Sequence, residues 1–150
     1  MTAYAVNVST NGIRTSLGRA AIADVASAAL RAERVKHALL SITLVDKRAI
    51  GRLNKKHIGH GGPTDVISFG FTRATAGDPV IGDVYIAPDV AKENAKASGV
   101  SAREEMTRLV VHGTLHILGY DHPESDARMQ SDMWKRQERL VKRFMSRKAR

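Results

Sequence analysis

The sequence predicts a single α+β domain in which a mixed four-stranded sheet packs with about five helices. Element order alone leaves an α+β or an α/β sandwich open. Three observations carry this expectation. The chain has 150 residues, the size of one domain. Segments with a two-residue apolar repeat are interspersed with segments of helical repeat. Two apparent strands, "DVISFGF" and "IGDVYIA", are joined by a loop too short for a crossover, so they form an antiparallel pair.

Each element has a local reason. "AYAVNVS" alternates apolar and polar residues and reads as the first strand. From Ser16 to about Arg34, Leu17, Ala20, Ala21, Val25, Ala28 and Ala29 recur at helical spacing. "LLSITLV" is the second strand. Asp46 follows and caps a short helix to about Lys56, with Ile50 and Leu53 inward. "HIGHGG" is a loop, because its glycines break any repeat. After Pro63 come the paired strands, with "RATAGDP" turning between them. Pro88 opens a helix that Gly99 ends. Ser101 and Glu104 have capping-box spacing and start a helix that stops near Leu118, before Gly119. A last helix starts near Ser125, with Met129, Met133, Leu140, Val141 and Phe144 on its inner face.

Composition narrows the chemistry. The chain is 43% hydrophobic and 26% charged, within the range of ordinary globular proteins. It contains no cysteine, so disulfides and thiolate metal sites are excluded, and a metal must use His, Asp or Glu. "MTAYAVNVST" lacks the basic-then-apolar pattern of a signal peptide, and "AAIADVASAAL" is too short and too polar to span a membrane. The expected location is cytoplasmic. Of the net charge of +9, the last sixteen residues hold +7, through Lys135, Arg136, Arg139, Lys142, Arg143, Arg147, Lys148 and Arg150 against Glu138. Such a segment suits a polyanion, nucleic acid being the usual one, or is a solvated helix end.

The densest chemistry is "HGTLHILGYDH", residues 112–122. His112 and His116 are four apart and share one helical face. Gly119 permits a reversal that returns His122 toward them. Three imidazoles at H-x3-H-x5-H spacing predict a site for one zinc ion, with a fourth tetrahedral position left for water. The spacing matches the zinc peptidase pattern H-E-x-x-H-x-x-G-x-x-H except at Gly113, where the peptidases carry their general base. The glycine therefore points to a metal site with different chemistry.

The same stretch resembles the signature of the YbeY family, bacterial endoribonucleases implicated in ribosomal RNA maturation and ribosome quality control. Leu53–Asn54, "PTDVISF" at 63–69 and "GDVYIAPDVAKENA" at 82–95 are also similar to the family, in the expected order. The resemblance implies a zinc-bearing cleft over a four-stranded sheet, with one zinc ion on His112, His116 and His122. It implies a zinc-dependent, single-strand-specific endoribonuclease that acts on the 16S ribosomal RNA 3′ end, with the small ribosomal subunit as partner and no membrane. One position departs. Family members often carry an RNA-contacting arginine where this chain has Ile58, which leaves His57, His60 or another part of the chain to supply that contact.

No general base is identified. Asp121 beside a ligand and Asp65 at a strand start are candidates for a base or a tautomer-fixing partner, or are ordinary turn and strand-start residues. Asp83 reads as a turn former. A zinc peptidase and an assembly factor with structural zinc are the competing functions.

Overall fold

The computed structural model describes residues 2–58, 64–122 and 126–148, with the side chains of 57, 58, 126, 147 and 148 outside the description. The elements follow the chain as β1 (Ala3–Ser9), α1 (Arg19–Ala32), β2 (His37–Leu44), α2 (Lys47–Ile58), β3 (Val66–Gly70), β4 (Val80–Ile86), α3 (Pro88–Ser98), α4 (Ala102–Ile117), a 3-10 helix (Asp126–Gln130) and α5 (Asp132–Lys148). The sheet order is β1-β2-β4-β3. β1, β2 and β4 are parallel, and β3 runs antiparallel to β4 with Val66 opposite Ile86. The sheet is therefore mixed, and the expected antiparallel pair is present.

Alternation along the strands decides which face is covered. Leu40, Ile42 and Leu44 of β2 and Val84 and Ile86 of β4 are buried in the main core, with Ile22, Val25 and Leu30 of α1, Val110 and Leu115 of α4, and Met133, Leu140 and Val141 of α5. A smaller core forms around Ile50, Ile67, Ala87 and Val90, with Phe69 and Tyr85 packed against it edge to face. Among the described residues no helix is long and apolar enough to cross a membrane.

The helix ends are set by the residues expected to set them. Asp46 Oδ1 accepts the Ala49 N–H at 2.7 Å. Gly99 adopts φ +71 after α3. Ser101 Oγ accepts the Glu104 N–H at 3.0 Å, while the Glu104 carboxylate pairs with Arg108. α4 ends in a Schellman motif. The Tyr120 N–H reaches Leu115 O, the Gly119 N–H reaches His116 O, and Gly119 takes φ +100.

Four expectations need adjustment. The last helix does not run from Ser125, which lies outside the described residues. A 3-10 turn comes first, and α5 begins at Asp132 behind Ser131, whose Oγ accepts the Trp134 N–H at 3.1 Å. Met129 lies on that turn and is 61% exposed, not inward. His57 and Ile58 close α2 and are not loop residues, while His60 and the rest of that loop lie outside the described residues. Asp83 does not form a turn. It sits within β4, opposite Ser41 and Phe69.

Candidate metal centre

α4 is the central helix, lying against the sheet and bordered by α1, α3 and α5. Its fit to the sheet depends on small residues. A Cβ on Gly113 would stand 2.7 Å from Val84 Cγ1, 3.1 Å from Ser68 Oγ and 3.3 Å from Val66 Cγ2. A Cβ on Gly82 would meet the Ile117 side chain at 2.7 Å. The Ser68 hydroxyl also donates to Gly113 O at 3.1 Å. Gly113 thus faces the sheet and brings the helix axis close to β3 and β4. A side chain at this position is directed into the core.

The neighbouring positions place His112 and His116 on another face of α4, and the turn at Gly119 returns His122 to them. The ring centroids lie 4.5 Å apart for His112 and His116, 5.0 Å for His112 and His122, and 5.1 Å for His116 and His122. One ligand nitrogen from each ring lies within 4.8 Å of the other two. The three predicted ligands are therefore together.

Hydrogen bonds fix two of the imidazoles. His112 Nδ1 is 2.6 Å from Gln137 Oε1. Gln137 Nε2 donates to Glu138 Oε2 at 2.9 Å, and a carboxylate oxygen only accepts, so the amide oxygen faces the ring. His112 therefore donates from Nδ1 and keeps its lone pair on Nε2. His116 Nδ1 faces Tyr120 O at 3.0 Å, and the carbonyl imposes the same tautomer. Such outer partners orient metal-binding histidines in general.

Both anchors are anchored in turn. Glu138 receives Arg108 Nε and Nη2, each at 2.8 Å, and Arg108 also pairs with Glu105 at 2.9 Å and Glu104 at 3.0 Å. The Glu138 hydrogen bonds, opposed by burial and joined by those to Glu105 and Glu104, raise the Arg108 pKa. Burial would raise the Glu138 carboxyl, but the hydrogen bonds from Arg108 and Gln137 outweigh it and hold the carboxyl below its usual value. On the other side, the Tyr120 hydroxyl donates to Glu33, which also pairs with Arg136 at 2.9 Å. The Arg136 guanidinium lies 5.2 Å over the Tyr120 ring. α5 thus braces the centre twice, through Gln137 and through Arg136.

Burial lowers the His112 pKa to about 4, the Gln137 hydrogen bond offsetting part of this and the other two rings adding to it. Burial also lowers His116, with His122 contributing. Both rings are neutral at pH 7, the form that ligates a metal. Two fixed lone pairs and a third imidazole within reach make a nitrogen donor set that fits a borderline ion such as zinc.

The carboxylates divide. Asp121 is exposed, and its Oδ1 accepts the His122 backbone N–H at 2.8 Å. Asp65 lines the cleft that reaches His112, and its Oδ2 accepts from Asn94 Nδ2 at 3.1 Å. Burial raises its pKa. Asp83 alternates with the core-facing residues of β4 and so lies on the face of the sheet away from α4.

The sequence reading missed Gln137, which is 1% exposed. The signal was present, because Gln137 is a polar residue four after Met133 in an otherwise apolar stripe.

A family model described as Endoribonuclease YbeY matches residues 5–145, a span holding all three histidines. The chain belongs to the YbeY family. Endoribonuclease YbeY of Kineococcus radiotolerans is 43% identical over 115 residues, covering 72% of this chain and 65% of the relative. That of Frankia alni is 39% identical over 112 residues, covering 68% and 61%. That of Beutenbergia cavernae is 40% identical over 114 residues, covering 71% and 75%. The first two matches span less than two thirds of those relatives. The solution structure of TM1509 from Thermotoga maritima matches with a TM-score of 0.57 over 92% of this chain and 87% of that one. At 23% identity it shows a shared fold only. The family match agrees with the resemblance carried by "HGTLHILGYDH".

Proposed function

We propose that residues 1–150 form one metal-dependent endoribonuclease domain that cleaves single-stranded RNA in ribosomal RNA maturation, at the 16S 3′ end, and in ribosome quality control. Its partners are ribosomal RNA and the small ribosomal subunit, and its setting is the cytoplasm. One zinc ion per chain is held by His112, His116 and His122. The observation that carries this reading is the convergence of three imidazoles, two with their tautomers fixed by Gln137 and Tyr120 O. The names of the YbeY relatives support the reaction class.

When bound, zinc supplies Lewis acidity toward a phosphoryl oxygen and makes water a better nucleophile near neutral pH. The residues do the rest. Gln137 and Tyr120 O hold the ligand rings. Asp65, in the cleft that reaches His112, is the carboxyl positioned to hold or pass a proton, and its raised pKa brings it nearer to neutral pH. The position of Gly113 disfavours a peptidase. In that pattern the residue after the first histidine supplies the base, but here it faces Val84 and Ser68.

The test pairs metal content with cleavage. Wild type should carry one zinc per chain and cut a single-stranded RNA carrying the 16S 3′ sequence. A chelator should stop cleavage and zinc should restore it. His116→Ala should lose most of the metal, and full occupancy in that variant would refute the ligand set. Chelator-insensitive cleavage, or chelator-sensitive proteolysis without RNA cleavage, would refute the reaction class.

A further inference from the structure

The histidine centre lies between two clefts. One, of about 320 Å³, reaches His112 and is lined by Asp65, Arg128, Met129 and Trp134 among others. The second, of about 340 Å³, reaches His116 and is lined by Phe71 and Arg73 among others. Each cleft thus joins one imidazole of the centre to one exposed arginine and one exposed apolar side chain; Arg108, which also lines the first cleft, is held by Glu104, Glu105 and Glu138. Met129 is 61% exposed and Phe71 62%. The other large exposed apolar residues among those described are Leu39 and Ile81, which pair side by side in the sheet, and Ile81 O accepts the Phe71 N–H at 3.0 Å.

The arginines are placed to bind anions. The Arg128 guanidinium lies 5.8 Å over the Trp134 ring, which supports its planar fork from one side. Its side chain lines the same cleft as Asp65 and His112. The Asp65 carboxylate there is engaged by Asn94. Across the centre, Arg73 is exposed, with Nη1 3.4 Å from Ala76 O and 3.5 Å from Asp78 O, long contacts that leave the guanidinium available to a ligand. A ligand that repeats negative charges and flat apolar groups matches this alternation. Single-stranded nucleic acid has both, and its unstacked bases accept side-chain contacts that a duplex hides.

We propose that the two clefts form one track that carries single-stranded RNA across the histidine centre. Arg128 and Arg73 bind backbone phosphates on opposite sides, and Met129 and Phe71 support the adjoining bases. RNA, in place of another polyanion, rests on the ribonuclease reading above. The track supplies contacts at Arg128 and Arg73 in a chain whose position 58 is isoleucine.

The chain contains one tryptophan, so intrinsic fluorescence reports on Trp134 alone. The full chain, freed of metal to prevent cleavage, is titrated with a 12-nucleotide oligouridine at several salt concentrations. Saturable change of the Trp134 signal is expected. Arg128→Ala and Arg73→Ala should each weaken binding roughly tenfold, as expected for a charge-assisted contact. Each should also flatten the log–log salt slope by about 0.7, the share of one phosphate on a single strand. Met129→Ser and Phe71→Ser should weaken binding several-fold, on the scale of a lost stacking contact, with the slope unchanged. Arg14→Ala, exposed after β1 at the sheet edge opposite β3, should bind like wild type. Both track arginines are exposed, so their loss should leave the fold intact.

Wild-type affinity and slope in either arginine variant would overturn the track and leave the ribonuclease reading standing. Equal binding of polyglutamate would overturn RNA as the occupant. No binding of RNA by wild type would overturn the track and count against the ribonuclease reading as well.

Discussion

Replacing Gln137 with leucine separates what holds the fold from what aims the metal site. Leucine has nearly the volume of glutamine, so the cavity contribution is small. Glu138 loses the Gln137 Nε2 donor at 2.9 Å but keeps both hydrogen bonds from Arg108. The loss falls on the His112 Nδ1–H, which gives up an acceptor 2.6 Å away in a side chain that is 1% exposed. A buried donor left without a partner costs about 1–3 kcal/mol. The ring then recovers part of that by rotating or by moving its proton to Nε2, and either change takes the lone pair from the centre. His112 is already neutral at pH 7, with a pKa of about 4, so the effect is one of aim and tautomer, not of protonation. Zinc affinity should fall roughly 10- to 100-fold, the usual scale for an outer-partner loss. Competition with a chromogenic chelator at pH 7 measures this, beside thermal melts of the metal-free protein. Gln137→Glu, which keeps an acceptor toward the ring, should retain more affinity than Gln137→Leu. A Gln137→Leu protein that melts lower but binds zinc like wild type would show that Gln137 only supports the fold.

Two further outcomes follow from the same geometry. Gly113→Ala should destabilise, because its Cβ meets Val84 Cγ1 at 2.7 Å; overpacking of about 1–3 kcal/mol exceeds or cancels the roughly 1 kcal/mol gain in helix propensity. Denaturant melts of Gly113→Ala, Val84→Ala and the double variant should show the double to be less damaged than the sum, and strict additivity would refute that contact. Metal-free protein should also lose stability in acid. The unfolded chain takes a proton on His112 near pH 6.5 and the folded one only near 4, so stability complete above pH 6.5 falls between those values, by up to about 3 kcal/mol. Urea titrations of wild type and His112→Asn should differ in this slope, and equal slopes would refute the assignment.

The fold was legible where punctuation was local. Asp46, Gly99, Ser101 and Gly119 each act within four residues of themselves, so the ends of α2, α3 and α4 were readable without tertiary information. Met129 was misplaced for the converse reason. Its spacing from Met133 continues the repeat of α5, but the cap at Ser131 breaks the helix between them and turns Met129 outward. The convergence of the three histidines was legible because two lie on one helical face and the third follows a glycine turn. Their supports were not, since Gln137 is 25 residues from His112 and Glu33 is 87 from Tyr120. Part of the basic C-terminal segment proved structural. Arg136, counted there as a charge for a polyanion, is an ion-pair partner of Glu33 and Asp132 and a cap on the Tyr120 ring.

Gly113 is explained differently by the sequence pattern and by the structure. The sequence comparison treats it as a peptidase pattern lacking its glutamate, which implies that one substitution separates the two chemistries. The structure relocates the difference. Position 113 looks into the sheet, where Val84, Ser68 and Val66 leave no room even for a Cβ without a shift. A glutamate there would meet the core and not the cleft beside His112. The hydrogen bond from Ser68 to Gly113 O lies on the same close approach. A base presented from the residue after the first histidine would require a different seating of the helix on the sheet. The glycine is therefore a consequence of how α4 is packed. Under the function proposed above, the proton carrier comes from another element, for which Asp65, just before β3 and lining the cleft that reaches His112, is the candidate.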